Sequence, residues 1–215
     1  MIRVSGVYHH INFSPRKILG VAGLTLCLSA PPLSAKDTFE KEPVKTETID
    51  TLAYKSQLSK EILEQAPSPV ITIAGEEKTA GIVVDVTENR LFRYDSLGRV
   101  MDGYIIASGK IGRSGKSITD LGIRQVDHVE SYPYRNAYGT KRKQKPWDYG
   151  PNVLYLVSIN PETGACEGSN GEFIHGNNNF SSLGKHSSKG CIRMENEVIH
   201  KIAHEISNGT YVLIK

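Results

Sequence analysis

Apolar and polar positions alternate along the chain from Ile82 onward. Ile82, Val84 and Val86 share one side of a two-residue period, with Val83 and Asp85 between them. A Thr87-Glu88-Asn89 turn follows, and Leu91 to Tyr94 and Tyr104 to Ala107 continue the pattern, which predicts a β-meander. Val153 to Ile159 is another apolar run of strand length, and Glu172 to Ile174 is a short one that delivers His175 to its end. The period then changes. Val198, Ile199, Ile202, Ala203 and Ile206 recur at helical spacing, with Asn196 placed to cap the start and Asn208-Gly209 to stop it. Tyr211 to Ile214 predicts a final strand. These elements describe a mostly β domain with one C-terminal helix.

Two stretches ahead of this domain have other textures. Arg3, Arg16 and Lys17 precede an apolar run from Ile18 to Leu28, and Leu33-Ser34-Ala35 ends on a small residue, so residues 1–35 are expected to be a signal peptide. The run is short for a membrane span of roughly 20 residues, although an uncleaved N-terminal anchor stays open. Cys27 follows the bulky Leu26, which argues against lipoprotein processing. Residues 36–79 are polar, punctuated by Pro43, Pro67 and Pro69, and read as a tether; Ile49, Leu52, Leu58, Ile62 and Leu63 predict one short amphipathic helix within it. The catalytic-sized unit is then 80–215.

Charge changes the picture once the leader is set aside. The chain has 26 Lys+Arg against 23 Asp+Glu, and the leader holds three basic and no acidic residues, leaving an even balance. The apparent basicity belongs to export, and no nucleic-acid partner is expected. The local cluster Lys141-Arg142-Lys143-Gln144-Lys145 reads as a solvated loop, or as a lid that meets acidic groups of a substrate.

Candidate chemistry is concentrated between Phe173 and Met194. Phe173-Ile174-His175-Gly176 leads through a Gly- and Asn-rich loop to Ser187-Ser188-Lys189-Gly190-Cys191-Ile192-Arg193-Met194, which places a base and a sulfur nucleophile at the two ends of one loop. A free cysteine with pKa near 8.5 is only about 3% thiolate at neutral pH, so a site must accept the proton or supply positive charge. His175 can take the proton, and Lys189 and Arg193 are near in sequence. Gly190 lacks a Cβ and lets the Gly190 and Cys191 N–H groups converge on a developing oxyanion. The loop that enters the C-terminal helix would add the positive end of a helix dipole.

These residues resemble the L,D-transpeptidase (YkuD-like) family of cell-wall cysteine enzymes, whose signature is His-Gly, a short Gly/Asn-rich loop, then Ser-x-Gly-Cys-(Ile/Val)-Arg. His175-Gly176 and Ser188, Gly190, Cys191, Ile192 and Arg193 carry the match, and the resemblance extends from about Ala80 to Lys215. Lys189 stands where many members have a second His, Thr119-Asp120-Leu121-Gly122 where a Thr-Pro-x-Gly turn is common, and Glu197 where an Asp is frequent. The resemblance implies a β-sandwich or barrel-like catalytic domain in the periplasm or another extracytoplasmic part of the cell envelope. It implies that Cys191, deprotonated by His175, attacks a peptidoglycan stem tetrapeptide, releases D-Ala and leaves a thioester. An acceptor amine, from a neighbouring stem peptide or an envelope protein, resolves it; water would make the same site an L,D-carboxypeptidase. The Gly176 carbonyl is expected to orient His175, with Ser188 and Asn178 supporting and Arg193 binding a carboxylate or bracing the loop. Acylation by carbapenems is implied too. No metal and no organic cofactor is called for.

Other readings compete at several positions. Cys166 and Cys191 are the two cysteines left after export, and a bridge between them would stabilise by about 3 kcal/mol while abolishing the nucleophile, leaving a non-catalytic envelope domain. Gly109 to Ser117 imitates a phosphate loop, but five residues rather than four separate Gly109 from Gly115, so it reads as a turn-rich connection. His200 and His204 have zinc-pair spacing, yet Lys201 occupies the position where a zincin has Glu. His186 is near enough to Cys191 in sequence to be a rival base, while His128 is isolated. Tyr132, Tyr134, Tyr138, Trp147 and Tyr149 either stack on sugars or pin a long loop.

Overall fold

The alternating segments pair into a nine-stranded sheet whose two ends meet. A computed structural model describes residues 54–134, 141 and 145–215. The expected signal peptide, the first part of the expected tether with Ile49 and Leu52, Arg142-Lys143-Gln144 and Tyr138 lie outside the described residues. In chain order the strands are β1 (Val70–Ile73), β2 (Glu76–Thr79), β3 (Ile82–Asp85), β4 (Arg90–Tyr94), β5 (Val100–Ile105), β6 (Ser108–Gly109) and β7 (Gly122–Ser131). They continue as β8 (Asn152–Ile159), β9 (Cys166–Gly168), β10 (Phe173–His175), β11 (His186–Ser188), β12 (Ile192–Arg193) and β13 (Tyr211–Ile214), and two α-helices among the described residues are α1 (Lys60–Leu63) and α2 (Asn196–Glu205).

The large sheet runs β12-β10-β8-β7-β13-β3-β4-β5, with β9 added on β8. β13 pairs parallel with β3 and antiparallel with β7, and β10 pairs parallel with β12. Just past β5, Ala107 exchanges both backbone hydrogen bonds with Arg193 of β12, each 2.9 Å. That exchange joins the first strand of the order to the end of the last, so the sheet curls into a barrel-like form.

Both surfaces of the curled sheet are covered. Inside, Ile82, Val84, Leu91, Leu154, Ile174, Ile192 and Val212 pack around Val198, Ile199 and Ile202 of α2, which fills the barrel. Outside, Val83, Phe92 and Tyr94 pack against Leu58, Ile71 and Ile73 from the segment ahead of β3. Double coverage explains why Ile82, Val83 and Val84 are all buried although they alternate in direction. From Tyr54 on, the segment read as a tether is therefore part of the packing: its helix is the single turn α1, and β1 and β2 form an antiparallel hairpin. Ser56 donates from both its N–H (2.9 Å) and its hydroxyl (2.7 Å) to Glu195, just ahead of α2.

Two expectations about α2 are corrected. Asn196 does not cap it, since Glu195 is at the capping position and the Asn196 Oδ1 instead accepts the Asn177 N–H at 2.8 Å. Nor does Cys191 enter the helix directly, because β12 intervenes. A helix dipole acts within about one turn, so α2 offers the sulfur little.

Candidate active site

Strand register assembles the site. Ile174 pairs with Ile192 and His175 with Arg193 in the parallel β10/β12 ladder. Side chains alternate faces along each strand, so Ile174 and Ile192 point into the barrel core while Phe173, His175 and Arg193 lie on the opposite face. One residue further back, Cys191 falls beside Phe173 and on that same face. Met194 completes the alternation: it is fully buried in the core, and its N–H donates to the His175 carbonyl at 2.9 Å.

His175 is 3% exposed. Its Nδ1 lies 2.6 Å from the Gly176 carbonyl, a distance that makes Nδ1 the protonated nitrogen and leaves Nε2 with the lone pair. The Tyr149 ring packs on the imidazole with centroids 4.9 Å apart. Gly176 is held tightly, and a Cβ there would lie 2.9 Å from the Gly150 α-carbon. The Tyr134 hydroxyl donates to the Gly150 carbonyl on the same turn.

The nucleophile loop closes on itself. Ser188 is fully buried; its hydroxyl donates to the Cys191 carbonyl at 2.5 Å and accepts the Gly190 N–H at 3.1 Å. Gly190 has φ +124, a conformation that L side chains rarely adopt. Its N–H, expected from the sequence to face an oxyanion, is thus turned toward Ser188 in this state. The Cys191 N–H lies beside its own sulfur. Burial pushes the Cys191 thiol above its ordinary pKa, a backbone hydrogen bond from Phe173 opposes this, the Glu172 charge raises it further, and Arg193 lowers it. Lys189 is exposed and takes no part in that balance. Arg193 Nε is buried and has no hydrogen-bond partner among the described residues.

The remaining candidates separate by position. The Asn178 side chain donates to Asp148 at 2.7 Å and ties the His175 loop to the turn carrying Tyr149. His186 places Nδ1 2.9 Å from the Ser108 hydroxyl and Nε2 3.3 Å from the Asn89 side chain, so both ring nitrogens are engaged in the β6/β11 region. His200 bonds to Asn152 (3.0 Å) and His204 to the helix's own His200 carbonyl (2.7 Å). Tyr134 and Tyr149 pin the loop, whereas Tyr132 and Trp147 are about 60% exposed. Cys166 pairs with Ile159, four residues along β8 from the Tyr155 that faces Phe173. Four residues of strand span roughly 13 Å, well beyond the ~7 Å limit for a disulfide, and both cysteines are free thiols.

Two residues that sequence reasoning did not place in the site belong there. The Thr119 hydroxyl donates to the Gly190 carbonyl at 2.7 Å and accepts the Gly109 N–H at 2.8 Å. Glu172, 8% exposed, lies against Gly190 from the other side. The Thr119-Asp120-Leu121-Gly122 turn was the available signal for the first; nothing in the local pattern marks the second.

Residues 79–214 match the YkuD family model, described as the L,D-transpeptidase catalytic domain. YkuD of Bacillus subtilis is 34% identical over 116 residues, 54% of this chain and 54% of that protein. YkuD of Bacillus licheniformis is 54% identical over 41 residues, 19% of this chain and 25% of that protein. Among solved structures, Bd1075 of Bdellovibrio bacteriovorus aligns with a TM-score of 0.47 and 22% identity, covering 70% of this chain and 53% of that one. The match to the Bacillus subtilis relative thus spans about half of its length.

Proposed function

Because the chain belongs to the L,D-transpeptidase catalytic-domain family, which acts on peptidoglycan stem peptides in the cell envelope, we propose that it is a peptidoglycan L,D-transpeptidase with Cys191 as nucleophile and His175 as base. The observation that carries this reading is the arrangement of the β10/β12 pair: a histidine with Nδ1 fixed by the Gly176 carbonyl shares a face with a half-buried, unbridged cysteine. Nε2 of His175 accepts the thiol proton, and the sulfur attacks the carbonyl between stem residues three and four. The C–N bond breaks, the proton passes from His175 to the departing D-Ala amine, and a thioester remains. An amine of a second stem peptide or of an envelope protein then attacks the thioester and regenerates the thiol.

Negative charge that develops on the attacked carbonyl meets the Cys191 N–H, and the Gly190 N–H joins once it turns from Ser188. Arg193 supplies the charged donor for a stem carboxylate. The expected signal peptide fits an envelope location, and N-terminal sequencing of the mature protein is its test. The mechanism is tested by mass spectrometry of D-Ala release from a muropeptide tetrapeptide. Cys191→Ala should reduce release to background, a loss of at least roughly a thousandfold, while circular dichroism stays unchanged. Turnover retained in that variant overturns the assignment.

A further inference from the structure

Gly190 is gripped from two directions. Its carbonyl accepts the Thr119 hydroxyl, and its α-carbon faces Glu172 so closely that a Cβ there would lie 2.9 Å from Oε1. Glu172 is buried and held by neutral donors: the Asp120 N–H at 3.0 Å on Oε1 and the Asn170 side-chain amide at 3.0 Å on Oε2. Arg124, whose charge acts on Glu172, bonds instead to the carbonyls of Asp120 (3.2 Å), Leu121 (3.5 Å) and Ile123 (3.2 Å). A carboxylate is therefore lodged behind the nucleophile loop with neutral donors but no ion-pair partner among the described residues. Burying such a charge costs stability, and a neutral or apolar filler would close the same gap. The position makes sense if the charge itself acts on its neighbour.

We propose that Glu172 is a positioning residue for the nucleophile: its carboxylate, seated against Gly190, holds Cys191 as the thiol at rest, so that the proton leaves to His175 only as a substrate carbonyl is attacked. This rests on the reading of Cys191 as nucleophile. The groups facing the pair act as follows. Burial raises the pKa of Glu172, the hydrogen bonds from Asp120 and Asn170 lower it, the Asp120 charge raises it and Arg124 lowers it. On Cys191, burial and then Glu172 raise the pKa, against Phe173 N–H, Arg193 and the residue's own N–H. His175 lies on the same face of the β10/β12 pair and, on the proposed reading, supplies the acceptor. A thiol held this way resists oxidation, which proceeds through the thiolate, and an envelope enzyme meets an oxidising medium.

The test is the pH dependence of iodoacetamide alkylation of the full chain, read by mass spectrometry on the peptide containing Cys191 so that Cys27 and Cys166 do not contribute. In the wild type the inflection should lie above the ~8.5 of a free cysteine. Glu172→Gln keeps the shape and removes the charge, so its inflection should move down and its rate at pH 7 rise severalfold. Glu172→Asp keeps the charge and should stay near the wild-type inflection. A wild-type inflection below 7 overturns the proposal without any variant. So does a Glu172→Gln profile that is slower at every pH with an unmoved inflection, because that is the signature of a purely structural part. D-Ala release by the Cys191→Ala variant reports separately on the function: turnover surviving there sinks the catalytic reading, whereas an unmoved inflection with Cys191-dependent turnover sinks this inference alone.

Discussion

On one face of the β10/β12 pair, Ile174 and Ile192 are fully buried in the barrel core; on the other lie Phe173, His175, Arg193 and, one step along, Cys191. The two faces are one residue apart in register and draw on different physics. The core face is generic: any apolar side chain of similar volume would fill it. The opposite face depends on atom positions, with Nδ1 bonded to a carbonyl and the sulfur seated by a closed loop. The comparison teaches that the run Cys191-Ile192-Arg193-Met194 is two patterns interleaved. Its alternate residues build the barrel, and that is what holds the others still.

Substitutions on the two faces should therefore fail differently. After the nucleophile itself, the largest effect is expected at His175→Ala, with D-Ala release falling by about 10²–10⁴ because the general base is lost, on top of whatever stability goes with its packing on Tyr149. His186→Ala should fall far less; the reverse order in a side-by-side D-Ala assay would move the base to the other ring. Next in size is Ile192→Ala on the core face. It should lose about 2–5 kcal/mol in urea unfolding, while the fraction still folded retains Cys191 alkylation and turnover. An Ile192→Ala protein of normal stability but no activity would erase the distinction between the faces.

The smallest effect is a pH-dependent one at Glu172. Burial raises its pKa, so its contribution to stability is fully present below the ordinary pKa of 4.5 and is lost as pH rises through the folded value. Glu172→Gln should then melt above the wild type at pH 8 and converge with it near pH 4, read by calorimetry across that range. A gap of constant size would mean that the carboxyl is ionised alike in folded and unfolded chains.

How much was legible in the sequence differs between elements for physical reasons. Strands β3, β4, β8, β10 and β13 follow from short apolar or alternating runs, and α2 from its 3.6-residue spacing, because burial there depends on local pattern alone. The ten-residue β7, central to the sheet, escaped notice. Arg124 and Glu130 are buried polar residues within it, and a register shift between Val126 and His128 breaks its alternation. The hairpin β1/β2 looked polar because β2 is exposed along its whole length and only Ile71 and Ile73 of β1 face inward. Within the site, His175, Gly176, Ser188, Gly190 and Cys191 sit together in one contiguous region of chain. Thr119 and Glu172 reach Gly190 only through folding: Thr119 is 71 positions away in sequence, and Glu172 lies before the His175 loop.

The central place of β13 has a consequence for the order in which the molecule can be built. A ribosome makes Tyr211–Ile214 after every other described strand, yet β13 stands between β7 and β3 and joins the half of the sheet that carries β10 and β12 to the half that carries β3, β4 and β5. Until those four residues emerge, the two halves share only the short β6/β11 ladder and the Ala107–Arg193 seam at the other end. Vectorial synthesis thus lets the thiol and its base meet on the β10/β12 pair while that half of the sheet is still unjoined to the half carrying β3, β4 and β5, and the last described strand completes the support around them.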